Sequence, residues 1–200
     1  MASLINGETK DLDGFSVTRI LPSAVKKMVG PFIFLDHMGP ALFKPGEGVN
    51  VRPHPHIGLS TLSYLFSGSM LHRDSLGNVQ EIFPGEVNWM TAGRGIVHSE
   101  RETLEVRSRE HELNGLQFWL ALPPEKAEIE PSFQHVKKEQ LPHYYLEKTI
   151  MRLIAGEAYG MTSPVRTHSP MFFIDIISAA GEQIELPHPN YESAVYIQSG

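Results

Sequence analysis

Two hundred residues, 41% of them apolar and 20% charged, suffice for one full domain with its own hydrophobic core and part of a second. The formal net charge is −6 and the basic residues are dispersed, with only the doublets Lys26-Lys27 and Lys137-Lys138, so direct nucleic-acid binding is not expected. The chain has no cysteine, which excludes disulfides and thiolate ligands and leaves His, Asp, Glu or backbone oxygen to hold any metal.

From the N-terminus onward, the first ten residues lack the apolar segment of a secretory signal. Short apolar runs then follow one another, punctuated by seventeen Gly and fifteen Pro. They predict strands over 15–20, 32–35, 60–66, 79–83, 87–90, 116–122, 150–154 and 172–178. Between them lie the turn signals Gly68-Ser69, Gly77-Asn78, Pro84-Gly85 and Gly93-Arg94-Gly95. A single short helical turn is expected over 124–128, where Pro opens the segment. The fold class is all-β, a sandwich or barrel. No run approaches the roughly 18 apolar residues of a membrane span; the longest candidate, 171–180, contains Asp175. No membrane association is expected, and a cysteine-free chain fits a reducing compartment, with the cytoplasm as the expected location.

An internal repeat sets the domain organisation. Pro53-His54-Pro55-His56 leads to Tyr64-Leu65-Phe66-Ser67-Gly68, and Pro187-His188-Pro189-Asn190 leads to Tyr196-Ile197-Gln198-Ser199-Gly200. Pro and Gly are common in turns, so coincidence is one reading; the other is a duplicated domain, in which Asn190 in place of His56 breaks the pair in the second copy. Residues 194–197 are read as a strand leading into a turn. The counterparts of Pro84-Gly85 and of His98-x-Glu100 would fall beyond Gly200. The expected organisation is therefore an N-terminal metal-binding domain over 1–130, then a linker and a partial second barrel over 131–200, with the remainder absent.

Two pairs carry the candidate chemistry. In a strand, residues i and i+2 share a face, so His54 and His56 aim two imidazoles one way, and His98 and Glu100 repeat the device. Neutral imidazole and carboxylate suit a divalent first-row metal. Chance supplies about 0.5 His-x-His and about 0.9 His-x-Glu pairs in such a chain, so neither pair is decisive singly. The setting beside Gly/Pro turns in an all-β chain strengthens the case for a metal, since barrel mouths collect ligands, but on these features alone partly exposed or core-satisfied histidines remain the stronger reading.

The segments Arg52-Pro-His-Pro-His-Ile-Gly-Leu-Ser-Thr, Gly68-Ser-Met-Leu-His-Arg-Asp-Ser-Leu-Gly-Asn and Pro84-Gly-Glu-Val-Asn-Trp-Met-Thr-Ala-Gly-Arg-Gly-Ile-Val-His-Ser-Glu resemble the pirins. So does the upstream Pro31-Phe-Ile-Phe-Leu-Asp-His-Met-Gly. The resemblance covers most of 15–122 and is looser from Pro123 onward. Pirins are bicupins, so it implies a cupin-type double-stranded β-helix barrel with an incomplete second barrel at the C-terminus. It also implies one divalent transition metal, Fe(II) first, with Ni, Co, Cu, Mn or Zn admitted by the same ligands, held by His54, His56, His98 and Glu100. One departure is Ser60, where many relatives carry Glu four residues after the second His.

Several pirins resemble flavonol dioxygenases. The resemblance thus implies a quercetin 2,3-dioxygenase-type activity on a small aromatic substrate, with Glu100 as the catalytic proton acceptor. The alternative it carries is a non-enzymatic, metal- or redox-responsive protein partner of a transcription regulator or metabolic enzyme. Other residues have plainer readings. His72 is expected as a surface hairpin histidine bonded to Asp74, and His37 as structural. Phe32, Leu35, Phe118 and Trp119 are core candidates, while Trp89 and Met90 face opposite ways. Gly93 and Gly95 serve a turn that sets the register of His98. His111, His135, His143 and His168 lie in polar stretches and need no function.

Overall fold

The computed structural model describes residues 2–11 and 15–200; residue 1, where the segment read for a leader begins, and residues 12–14 lie outside that description. The strands are β1 (Glu8–Asp11), β2 (Ser16–Leu21), β3 (Phe32–Phe43), β4 (Asn50–His56), β5 (Leu59–Ser67), β6 (Met70–Asp74), β7 (Val79–Ile82), β8 (Val87–Thr91), β9 (Ile96–Arg101), β10 (His111–Ala121), β11 (Ser132–Val136), β12 (His143–Leu146), β13 (Thr149–Ala158), β14 (Met161–Thr162) and β15 (Phe172–Ser178). One turn of helix, α1 (Leu104–Arg107), separates β9 from β10. The fold is all-β, a cupin-type barrel.

Three antiparallel sheets are built from these strands. The largest runs β1-β2-β3-β10-β5-β8-β11, the second β4-β9-β6-β7, and the third β12-β13-β14 with β15 on β13. Side-chain alternation gives the large sheet two different faces. Leu62 and Tyr64 of β5, with Leu116, Phe118 and Leu120 of β10, pack on one side against Ile154, Ala155, Val165 and Met171 of the C-terminal part. The residues between them, Thr61, Ser63, Gln117 and Trp119, point the other way, into the barrel closed by the second sheet. By the same alternation Leu65 and Leu113 also face inward, and they seal one end of the barrel with Phe15, Val17, Met38, Phe43, Met70 and Ile82.

The apolar runs all became strands, several longer than expected: β3 extends to Phe43 and β10 starts at His111. The apolar runs miss β1, β4, β6, β9, β11, β12 and β14, of which β4 and β9 are predicted only by the spacing of their ligands; β4, β6, β9, β11 and β12 carry His, Arg, Glu or Gln toward the barrel or surface and so lack the apolar alternation by which strands are read. Pro124–Lys126 makes the expected turn, as a 3-10 helix. Thr103 caps α1 by accepting from the Val106 N–H at 3.2 Å. The expected strand over 194–197 does not form. A strand needs a neighbour to satisfy its backbone, and this segment is tied down instead by the Tyr196 hydroxyl, 2.6 Å from His37 Nδ1.

Candidate metal centre

β9 is a central strand of the second sheet, with β4 on one side and β6 on the other. Its pairing with β4 opposes His54 to His98 and Val51 to Glu100, with one extra β4 residue between them. That bulge falls at Arg52-Pro53, where a residue without a backbone N–H costs the ladder nothing. On the other flank, His72 opposes Glu100 and Asp74 opposes His98. One face of three strands thus gathers four histidines and two carboxylates.

The four sequence-predicted residues share that face but form two overlapping groups. His54, His56 and His98 present ligand atoms all within 4.8 Å of one another, and Glu100 makes an equally tight group with His98 and His72. His98 belongs to both. The ring centroids of His54, His56 and His98 lie 4.5 to 5.0 Å apart. His56 is 7% exposed, His98 2% and Glu100 8%. His54, partly exposed, lies with Nδ1 2.8 Å from the Arg52 carbonyl, which takes its N–H and leaves Nε2 bare. Burial first, and neighbouring histidines second, push the imidazoles of His56 down to about 4 and His98 down to about 3, so both are neutral at pH 7.

The fit to a cation rests on two atoms. Nε2 of His56 and Nε2 of His98 are buried with no hydrogen-bond partner. A buried polar nitrogen left unpaired costs roughly 1–3 kcal/mol, and a neutral imidazole lone pair is what a divalent transition metal takes up. Glu100 is oriented by Ser63, whose Oγ lies 3.0 Å from Glu100 Oε1 and 2.9 Å from Gln117 Oε1. A hydroxyl carries one proton, so it serves the carboxylate when the Gln117 amide turns its NH2 toward Ser63. These residues fit a divalent metal.

Around the cluster stand residues for which the sequence reading had no functional role. Trp119 is half-buried, not core: it meets His56 edge-on at 5.0 Å and stacks on Phe34 at 4.1 Å. Arg19 caps that stack, 4.5 Å above Phe34, and is held by both oxygens of Asp36 at 2.8 Å. Pro55, Ile57 and Val97 alternate with the ligands and so face away from them, and with Ser75 and Ile96 they line an open cleft of about 380 Å³ on that outer side. His72 does bond Asp74, as expected, but is 3% exposed and not on the surface. Burial opposes ionisation of Asp74, yet hydrogen bonds from His72 and Asn78 hold its carboxyl below the usual range. His37 is structural, bound to Tyr196 and Asn114 on the opposite side of β3 from Asp36.

The Pirin family model matches residues 14–120. The chain belongs to the pirin family. It is 51% identical over 203 residues to a pirin-like protein of Caulobacter vibrioides, covering 98% of this chain and 69% of that one. It is 42% identical over 181 residues to a Pseudomonas aeruginosa protein provisionally named a quercetin 2,3-dioxygenase, covering 89% of this chain and 56% of the relative. A crystal structure of quercetin 2,3-dioxygenase from Acinetobacter baumannii superposes with a TM-score of 0.81 at 39% identity, over 86% of this chain and 56% of that one. The chain therefore spans between roughly half and two thirds of these relatives. The pirin match runs from β2 to β10 and so contains every residue of both ligand groups. Among the described residues, no helix is long and apolar enough to cross a membrane.

Proposed function

We propose that this pirin chain binds one divalent transition metal through His54, His56, His98 and Glu100, with Fe(II) as the resident ion, and that the whole protein is a dioxygenase of the quercetin 2,3-dioxygenase type. The observation that carries the metal is the pair of buried, partnerless imidazole nitrogens on His56 and His98, both belonging to rings held neutral. When bound, the ion supplies Lewis acidity and, as iron, a redox couple for dioxygen chemistry. The rest falls to the chain. Glu100 is the one carboxylate of the proposed ligand set and so the one group in it that could accept the proton of a flavonol hydroxyl, and Ser63 orients it through Oε1. The Trp119–Phe34 stack beside His56 offers a flat aromatic surface of the kind that binds an aromatic ring. The same reading sets the protein in the cytoplasm.

The test is to load the whole protein with Fe(II), Ni(II), Co(II) or Cu(II), add quercetin under oxygen and follow the flavonol absorbance. Loss of absorbance is expected with at least one metal. Glu100→Gln should slow turnover by about 100-fold, the scale of general base catalysis, and weaken metal retention far less. Equal losses would show that Glu100 acts only as a ligand. A protein that holds metal and turns over no flavonol with any of them favours the non-enzymatic role, in which a protein partner reads the state of the metal.

A further inference from the structure

The second ligand group contains a residue that the proposed set leaves out. His72, on β6, is buried, and its ring stacks on Phe133 of β11 at 4.3 Å and 15°. Both of its nitrogens are engaged: Nε2 lies 2.9 Å from Asp74 Oδ2, and Nδ1 lies 3.5 Å from His98 Nδ1. Asp74 is itself fixed. Its Oδ1 accepts from the backbone N–H of Leu76 at 2.9 Å and of Asn78 at 3.0 Å, and the Asn78 side-chain amide reaches both carboxylate oxygens at 3.1 and 2.9 Å.

These partners assign the protons in sequence. A carboxylate only accepts, so the His72 proton sits on Nε2. Nδ1 of His72 is then a bare lone pair, and the proton between the two rings belongs to His98 Nδ1. A neutral imidazole has one N–H, so Nε2 of His98 is left bare. That atom is the one buried without a partner. His54 reaches the same state through the Arg52 carbonyl, within its own strand. On β9, flanked by ladders on both sides, the acceptor comes from a neighbouring strand's side chain instead.

We propose that His72 and Asp74 are positioning residues: together they lock His98 in its Nδ1–H tautomer and so keep its Nε2 lone pair available to the cation. The inference rests on the metal-centre reading, and it ties the turn between β6 and β7 to the site. In this role His72 serves as an acceptor and not as a ligand, because Asp74 holds its Nε2 and its Nδ1 lone pair faces the His98 N–H.

The test begins with metal-free protein carrying 15N-labelled histidine, in which two-bond proton–nitrogen correlations separate the tautomers, the His98 signals being assigned by their loss in His98→Gln. Wild-type His98 should show a protonated Nδ1 and a bare Nε2. His72→Phe keeps a ring against Phe133 but removes the acceptor. It should leave His98 in mixed tautomers and lower Co(II) affinity, measured against a competing chelator, by about 10–100-fold. His72→Gln should restore both, since its carbonyl can accept from His98 while its amide donates to Asp74. A wild-type His98 protonated on Nε2 overturns the proposal without any variant. So does a folded His72→Phe protein with unchanged tautomer and affinity. The tautomer is read without metal, so a wild-type protein with the expected His98 that takes up no metal leaves the lock standing and overturns the metal-centre reading.

Discussion

Two imidazoles at the centre of the barrel are held neutral by burial and by neighbouring histidines, and this gives the metal-free protein a definite response to acid. His56 and His98 ordinarily titrate near 6.5, and in the fold they do so at about 4 and about 3. As pH falls through 6.5 the unfolded chain takes up protons that the folded chain refuses. The unfolded state then binds more protons, so stability drops on acidification across the window from 6.5 to about 4. Thermal unfolding of metal-free protein at stepped pH should show Tm falling through that window, with a shallower fall in His98→Gln. A Tm that stays flat from pH 7 to 5 would mean that these rings are solvated. Glu100→Gln probes the same site from the carboxylate side, and its split between turnover and metal retention is the matching measurement.

At the scale of the element, β9 depends on the turn that starts it. Gly93 has φ of +52°, and a Cβ there would stand 2.0 Å from the Ile129 carbonyl oxygen, so neither the backbone conformation nor the space admits a side chain. Arg94, between the two glycines, donates its N–H to that same carbonyl at 2.9 Å and pairs with the exposed Glu130, which fits a backbone role for the turn rather than a chemical one. Gly93→Ala should destabilise the protein by about 2 kcal/mol and, by shifting the start of β9, loosen metal retention as well. Denaturant unfolding with and without metal would check both. Loss of stability with metal affinity intact would show that the turn does not set the position of His98.

At the scale of the whole molecule, the large sheet is shared. Its inner face lines the barrel and its outer face is the floor on which the C-terminal sheet packs. A polar link crosses that junction. Tyr64 on β5 donates to Asp175 on β15 at 2.7 Å and accepts from Arg152 on β13 at 2.9 Å, while Arg152 also donates to His143 of β12 at 3.0 Å. Burial, with Asp175 beside it, pushes the Tyr64 hydroxyl far above its ordinary range and keeps it a donor. Tyr64→Phe removes one hydroxyl and strips a partner from both charged groups. It should cost about 1–3 kcal/mol, read as a lower Tm with metal binding unchanged, because the hydroxyl faces away from the ligands. Loss of metal binding in that variant would mean that the C-terminal sheet shapes the site through β5.

Several features were legible in the chain because they depend only on local spacing. Short apolar runs between Gly and Pro mark the strands of the large sheet apart from β1 and β11, and His-x-His and His-x-Glu put like-facing donors on whatever strands carry them, since side chains alternate with a period of two. Parity says which residues share a face; it does not say what lies opposite. The pairing of β4 with β9 and of β9 with β6 brings His54 against His98 and His72 against Glu100, and those partners are far apart in the chain. Burial of His72, the stacking of Trp119 at the edge of the site and the failure of 194–197 to form a strand likewise depend on which neighbour a segment finds. Apolar alternation does not mark the strands of the site, which only the ligand spacing suggests, and the reason is physical. A strand that turns ligands inward gives up the apolar alternation that announces a strand, and only the closed barrel repays it with partners.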